Sequence, residues 1–367
     1  MEFPIVKRIN ECFIKPKLEE NFNKPYFLTS WDLRLLSIHY NQKGILFTKP
    51  SPKDNESFSF DNLLESLKDS LALTLVYFYP LAGQLATRID KDQQKCVVFV
   101  DCNKGPGAQF LHATLDMTVS DILSPTYIPK VVHSNELDDF VVRYKPPSEL
   151  MERMFHFTSE SMKSLKAKAN KDNVNNDVII SSFQALAALI WRAIVRAYEL
   201  APNEVTNCHL AINVRKRLDP PLPDDYFGNA LSNIMTSTTA GDLLSQSLGL
   251  AGTLLNESIK KYTDGAVVSD DHWAEAPYFI DLSTFSDLRS VRFGSSPRFE
   301  IYSNEFKGLG RPVAVRSGNG NKFVGKVNTY PGCEGGGSVD FEICLLPQQM
   351  AILESDPEFM DFVSLAI

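Results

Sequence analysis

The chain has 367 residues, of which 44% are hydrophobic and 22% charged, and its formal net charge is −8 at pH 7. These proportions are those of a globular protein and exclude collagen-like, coiled-coil and largely disordered chains. The length exceeds what one hydrophobic core usually supports, so two domains are expected, and the acidic balance disfavours electrostatic binding to nucleic acid or anionic lipid.

The first residues and the cysteines indicate the cellular compartment. The segment MEFPIVKRINECFI has charges within its first ten positions, and no run of about 18 apolar residues occurs anywhere. The six cysteines, at positions 12, 96, 102, 208, 333 and 344, form no CxxC pair. We therefore expect a cytoplasmic protein with buried, reduced thiols, no disulfide framework and no bound metal.

The first third mixes helices and strands. Leucines at intervals of three and four residues between Asp61 and Tyr79 predict a helix with one apolar stripe, which Pro80 ends. The run CVVFVDC, from Cys96 to Cys102, predicts a short buried strand.

The middle of the chain contains the helix that is predicted most securely. Ser181–Leu200 begins with serines suited to capping and continues with strong helix formers. His209–Arg215 alternates as a strand does, and it leads into a proline-rich turn at Asp219–Asn229. The polar stretch from His133 to Leu150 separates this half from the first.

The last part of the chain predicts strands and a closing helix. Arg311–Gly318 and Lys326–Gly332 flank the turn-forming sequence GNGN and are interpreted as a hairpin. Gly335–Pro347 predicts one more strand. The final segment, QQMAILESDPEFMDFV, predicts a helix interrupted near Pro357.

Five segments together resemble the BAHD family of plant CoA-dependent acyltransferases, in particular its acetyltransferase-like subgroup. They are LTSWDLRLLSIHY (28–40), FYPLAGQL (78–85), SSFQALAALIWRA (181–193), LAINVRKRLDPPLPDDYFGNA (210–230) and NEFKGLGRPVAVRSG (304–318). The resemblance implies the two-domain α/β fold of chloramphenicol acetyltransferase, with mixed sheets, flanking helices and a channel between the domains. It assigns residues 1–139 to the N-terminal domain, 140–152 to a linker and 153–367 to the C-terminal domain. It further implies a monomer of plant specialised metabolism that takes acyl-CoA as co-substrate and an alcohol or amine as acceptor.

The chemistry of that family depends on an HxxxD motif, whose histidine removes the proton of the acceptor as general base. By resemblance the motif should lie after Thr118–Ser134 and before Arg153–Glu160. Only a short polar link separates those two segments, and no histidine occupies the expected place. We therefore predict an incomplete N-terminal domain and assign no catalytic residue.

One HxxxD pattern does occur, HATLD, with His112 and Asp116. It lies upstream of the expected place, and its flanks lack the glycine and aromatic residues that follow the family motif. We interpret it as a chance match at the start of a surface helix, away from the channel. The remaining histidines lie in other family segments or flank the gap: His39, His133, His156, His209 and His272.

The second family signature, DFGWG, is similar to NEFKGLG at 304–310. Glu305 stands where aspartate is usual, and Lys307 is an apparent insertion before Gly308 and Gly310. These glycines and Glu305 are structural rather than catalytic by resemblance.

In the family the acidic residue of this signature pairs with an arginine on the other signature strand. Arg215 is the best match for that arginine, and Arg217 is the alternative. We expect Arg215 and Glu305 to lie within salt-bridge distance.

Two functions remain open at this point. The first is acyl-CoA-dependent O- or N-acyl transfer, which follows from the resemblance. The second is a catalytically inactive relative that binds a small molecule or a partner, or a truncated gene product. The missing base distinguishes them, because removal of such a group lowers the rate by about 10²- to 10⁴-fold.

Overall fold

A computed structural model describes residues 5–17, 24–51, 58–92, 95–130, 144–173, 178–265, 273, 276–285, 287–306 and 308–364. The strands are β1 Lys7–Ile14, β2 Tyr26–Phe27, β3 Lys43–Leu46, β4 Gln84–Asp90, β5 Lys95–Asp101, β6 Ala108–Thr114, β7 Met151–Phe157, β8 Val205–Asn213, β9 Leu231–Thr239, β10 Ser290–Ser295, β11 Ala314–Ser317, β12 Lys326–Pro331 and β13 Val339–Leu345. The α-helices are α1 Ser30–Leu33, α2 Phe60–Tyr77, α3 Val119–Leu123, α4 Ser159–Lys171, α5 Ser182–Ala197, α6 Ala240–Ser245, α7 Leu248–Gly265, α8 Pro347–Glu354 and α9 Pro357–Met360. Short 3₁₀ helices span Tyr79–Ala82, Leu282–Phe285 and Ile301–Ser303.

The main sheet has the strand order β7-β13-β12-β10-β8-β9 among the described residues. It is mixed, because β10 runs parallel to both β12 and β8 whereas the other neighbours are antiparallel. Helices α4, α5 and α7 pack together with the apolar side chains of this sheet in one continuous core. The predicted α/β class, with mixed sheets and flanking helices, is therefore confirmed.

Helix α5 is the centre of that core. Ser181 and Gln184 form a capping box, which satisfies free backbone N–H groups at its start. Its side chains from Gln184 to Val195 are buried, and Trp191 donates a hydrogen bond of 3.0 Å to Thr206 on β8. The predicted long buried helix is confirmed, as are the strand over His209 and the closing helix interrupted before Pro357.

The N-terminal strands form small sheets, with the orders β1-β6 and β2-β5-β4. Large apolar side chains remain exposed in this part of the chain, including Ile9 at 55%, Tyr77 at 81% and Ile89 at 67%. The predicted helix α2 and strand β5 are present, but the valines of β5 are only half-buried. This region therefore leaves much of its apolar surface uncovered, in contrast to the core around α5.

Residues 26–46 form an arm that bonds to the second half of the chain. The Tyr26 hydroxyl donates to the Phe227 carbonyl at 2.6 Å, and an Asp32 carboxylate oxygen accepts from the Asn229 backbone N–H at 2.9 Å and side-chain amide at 2.8 Å. At its end β3 pairs antiparallel with β11. These contacts cross the predicted boundary at 140–152, of which residues 140–143 lie outside the described residues; the domain limits stay a prediction.

The predicted hairpin between 311–318 and 326–332 is wrong. Strand β11 pairs with β3 of the arm, whereas β12 lies in the main sheet between β13 and β10. The connection from 318 to 325 is not a tight turn, because Phe323 and Val324 are buried within it and Gly325 has φ +82°. The residues between the two strands therefore do not form a hairpin turn, and the distant arm supplies the partner of β11 instead.

All six cysteines are free thiols, but burial was predicted too broadly. Cys208 and Cys344 are buried, Cys12 and Cys102 are half-buried, and Cys96 and Cys333 are exposed. No helix among the described residues has the length and apolarity needed to cross a membrane.

Candidate functional site

The face of the main sheet that points away from helix α5 carries charged and polar side chains. Alternation along each strand sends apolar residues into the helical core and their neighbours to the opposite side. Strand register then aligns Cys344, Lys326, Arg292 and His209 across four adjacent strands. We call this side of the sheet the polar face.

A buried ionic cluster lies at one end of the polar face. The Lys322 side chain is 1% exposed, and its Nζ donates to Glu152 Oε2 at 2.9 Å, to Glu342 Oε1 and to Ser317 Oγ at 3.0 Å. Glu342 also accepts from Ser317 at 2.8 Å and from Asn328 at 3.1 Å. Burial opposes ionisation of Glu342, but Lys322 and these hydrogen bonds more than offset it and lower its pKa.

Three groups in this cluster resemble a metal-ligand set. One atom each from Glu152, Glu342 and Cys344 lies within 4.8 Å of the others. The Lys322 ammonium bonds both carboxylates, however, so a positive charge is already present. Burial raises the pKa of the Cys344 thiol well above its ordinary value, which keeps the sulfur protonated and a poor ligand. The residues fit a lysine–carboxylate cluster better than a metal centre.

Lys43 joins the cluster from the arm. Its Nζ donates to the Tyr330 hydroxyl at 2.8 Å and lies 4.5 Å from the centroid of that ring. Burial of the ammonium group, together with the like charges of Lys326 and Lys322, lowers the pKa of Lys43 to about 8 despite the nearby Glu342.

His209 is the histidine on the middle of the polar face. Its Nδ1 lies 2.9 Å from the side-chain amide nitrogen of Asn233. Burial and the charge of Arg292 lower its pKa to about 4, so the imidazole is neutral at pH 7. A general base works best with a pKa near the operating pH, and His209 is a weak base by that measure.

The other histidines lie elsewhere. His156 Nδ1 is 2.6 Å from Asp340, and this hydrogen bond raises the pKa of the imidazole. The backbone of His39 exchanges hydrogen bonds with Asn321. His133 and His272 lie outside the described residues.

The predicted pairing of Arg215 with Glu305 is absent from the ion pairs of the described residues. The Arg215 guanidinium instead donates to the Gly228 carbonyl at 2.5 Å and lies 5.7 Å from the Tyr226 ring centroid. The physical reason is local: β8 ends at Asn213, and the proline-rich turn folds back so that its own carbonyl satisfies the arginine.

The glycines of the second signature have a clear backbone role. Gly308 has φ +88° and Gly310 has φ +70°, in the left-handed region that side chains disfavour. Phe306 and Gly310 close the loop with two backbone hydrogen bonds, and the Phe306 ring contacts Phe47, the residue that follows the arm, at 5.2 Å between centroids. Lys307 lies outside the described residues.

The HATLD pattern does not begin a helix, which corrects the sequence prediction. His112 lies in β6 opposite Asn10, and the next helix, α3, starts only at Val119 behind the capping residue Thr118. His112 is half-buried and lines a cleft of about 360 Å³ whose other residues all precede it in the chain. No hydrogen bond joins His112 to Asp116 within the described part of the chain. Its distance from the channel stays a prediction.

Sequence reasoning did not identify the cluster of Lys43, Glu152, Lys322 and Glu342. One signal was present, since Glu342 is a single acid within the apolar run FEICLL of a predicted strand. A buried acid in such a run requires a partner, but the pattern does not say which lysine supplies it.

A family model described as "Transferase family" matches residues 5–151 and 129–360. An uncharacterized acetyltransferase of Arabidopsis thaliana is 28% identical over 444 residues, covering 96% of this chain and 98% of the relative. The BAHD acyltransferase DCR of the same plant is 27% identical, covering 97% and 92%.

Solved structures share the fold. The crystal structure of vinorine synthase matches with a TM-score of 0.71 at 18% identity, covering 98% of both chains. F. graminearum TRI101, complexed with coenzyme A and deoxynivalenol, matches with a TM-score of 0.68 at 14% identity, covering 93% of this chain and 99% of TRI101.

Proposed function

Because this chain belongs to the BAHD family of acyltransferases, we propose that it binds an acyl-CoA and an alcohol or amine acceptor but transfers the acyl group only slowly. In such a transfer the acceptor loses a proton as it attacks the thioester carbonyl, and a side chain must take that proton. The family's histidine for this step is the group that this chain lacks.

One observation carries the proposal. Between Ser134 and Arg153, where resemblance places the HxxxD segment, the chain has only 18 intervening residues and no histidine. Orientation of the two substrates can still contribute to the rate, but an alcohol acceptor then stays protonated at neutral pH.

The comparisons support a missing internal segment. The alignment with the A. thaliana acetyltransferase runs over 444 positions, which exceeds the 367 residues of this chain and therefore requires gaps in it. The two matched stretches of the family model also meet at residues 129–151, the place of the expected segment. The exposed apolar side chains of the N-terminal part are what a sheet would show if its neighbouring strands were absent.

The described histidines offer poor replacements for the base. The lowered pKa of His209 makes it weak, and His156 is bonded to Asp340. His112 lines a cleft built only from the first 112 residues. We further propose that the protein acts as a cytoplasmic monomer without a permanently bound cofactor.

The test is thioester consumption by the purified protein with acetyl-, malonyl- or hydroxycinnamoyl-CoA and a panel of alcohols and amines. We expect rates at least about 10²- to 10⁴-fold below those of a complete relative, because that is the usual contribution of the general base alone. A chimera that carries the relative's HxxxD segment between Pro129 and Tyr144 should gain activity.

Two controls separate the alternatives. Calorimetric titration with coenzyme A distinguishes a slow enzyme that binds its donor from a chain that binds nothing. Robust turnover that disappears in His112→Ala but persists in His39→Ala would contradict the proposal, because HATLD would then supply the base. Sequencing of the transcript across Pro129–Tyr144 would show whether the gap is present in the messenger.

A further inference from the structure

Lys43 differs from its neighbours in the ionic cluster by its partners. Lys322 bonds the carboxylates of Glu152 and Glu342, and Lys326 donates to the Asn321 carbonyl at 2.7 Å. Within the described residues Lys43 forms no ion pair, and its Nζ bonds the neutral phenol of Tyr330. The cluster therefore leaves Lys43 without a carboxylate of its own.

The charge of Lys43 is correspondingly unfavourable. Its ammonium is desolvated and is repelled by Lys326 and Lys322, while Glu342 is already bonded to Lys322. A pKa of about 8 leaves roughly half of the Lys43 side chains as free amine at pH 8, whereas an ordinary lysine with a pKa near 10.4 has only about 0.4%. The free amine is the nucleophilic form.

Lys43 is also reachable. As a whole residue it is exposed, at the point where the arm meets the polar face, although its terminal nitrogen lies against Tyr330. Tyr330 itself is fully buried, so a donor reaches the amine where the Lys43 side chain covers that ring, and the Tyr330 oxygen remains within hydrogen-bond distance to hold the nitrogen when it becomes cationic.

We propose that Lys43 is an acylation site whose ε-amine accepts the acyl group of an acyl thioester. The Nζ–C bond forms and the C–S bond breaks, so that an amide remains on Lys43. The thiolate leaves and takes up a proton, while the nitrogen loses one to water. The product is neutral and no longer repels Lys322 and Lys326. Acyl-CoA as the natural donor rests on the proposed function; the reactivity of Lys43 does not.

The experiment compares two donors on the full chain at pH 8, acetyl-CoA and S-acetyl-N-acetylcysteamine, a thioester without the nucleotide. Peptide mass spectrometry measures acetylation over time at Lys43 and at Lys68. Lys68 is the matched control, because its Nζ is paired with Glu65 at 2.7 Å and its pKa is raised by that hydrogen bond. We expect Lys43 to react at least about tenfold faster than Lys68 with either donor, and the preference to vanish in urea.

Lys43→Arg should remove the fast-reacting site while keeping the positive charge, and its thermal unfolding midpoint verifies that the variant is folded. Lys68→Arg should leave the acetylation rate at Lys43 unchanged. The Lys43 rate should rise with a midpoint near pH 8, since Tyr330, Glu342, Lys322 and Lys326 surround the amine. Equal rates at Lys43 and Lys68 with both donors would overturn the proposal. A fast reaction with the small thioester but no added preference for acetyl-CoA would retain it and count against donor binding in the proposed function.

Discussion

Replacement of Lys322 by methionine tests how much the buried ionic cluster contributes to the free energy of unfolding. The Lys322 side chain is 1% exposed, the Glu342 side chain 0% and the Glu152 side chain 15%. The substitution therefore removes the cation that pairs with two carboxylates, both of which are largely shielded from water. Removal of one partner from a buried pair typically costs about 3–5 kcal/mol. Ser317 and Asn328 still donate to Glu342, so we expect a loss near the lower limit, about 3 kcal/mol.

Urea denaturation at several pH values provides the measurement. Because the folded-state pKa of Glu342 is lowered, its contribution to stability is present above the unfolded pKa and is lost as the pH falls through the folded value. Without Lys322 the carboxyl can take up a proton, so the difference between variant and original chain should narrow in acid. Lys322→Met combined with Glu342→Met should recover stability, because an apolar pair of similar volume replaces the ions.

Lys68→Met is the matched control for this prediction. Its ion pair with Glu65 is at the surface, and the unfolding midpoint should not move. A loss below about 1 kcal/mol in Lys322→Met, or one that does not change with pH, would refute the reasoning, since such a result requires hydrated carboxylates.

Two further predictions concern the arm and the sheet edge. Asp32→Ala removes both acceptor bonds to Asn229 and should lower the free energy of unfolding by about 1–3 kcal/mol in urea denaturation; an unchanged midpoint would mean that the arm does not stabilise the fold. The hydrogen bond to Asp340 raises the pKa of His156, so its stabilisation is complete below the unfolded pKa and is lost as the pH rises through the folded one. Between pH 6 and pH 8, a range that spans the ordinary histidine pKa, the thermal unfolding midpoint of His156→Gln should therefore fall less than that of the original chain. Parallel profiles would contradict the stabilising hydrogen bond between His156 and Asp340.

Local sequence patterns predicted the helices and strands whose capping, burial or termination depends on residues close together in the chain. Helix α5 combines its own capping box with an apolar surface that extends around the helix, and both are visible in consecutive residues. The interruption at Pro357 and the strand over His209 follow in the same way from proline chemistry and alternation. The resemblance identified the family and hence the fold, which periodicity alone did not.

Pairings between distant segments could not be predicted. Strand β11 has the composition of a hairpin strand, but its partner β3 lies in the arm, and nothing in the local sequence reports this. Lys43 and Lys322 are unremarkable lysines in polar stretches, and only the fold brings them to Glu342. The pairing of Arg215 with Glu305 rests on the family resemblance alone, whereas the Gly228 carbonyl accepts a hydrogen bond from the Arg215 guanidinium.

The bonds of the arm constrain the order in which the chain can fold. Asp32 and Asn229 are 197 positions apart and Lys43 and Tyr330 are 287 apart, so the arm leaves the ribosome long before its partners exist. At about 5–20 residues per second, Lys43 waits roughly 15–60 s for Tyr330 to be synthesised. During that interval β3 is an unpaired strand edge, open to chaperones and to other nascent chains. Synthesis of the last sixth of the protein therefore determines when Lys43–Leu46 acquire the strand partner that holds this end of the arm.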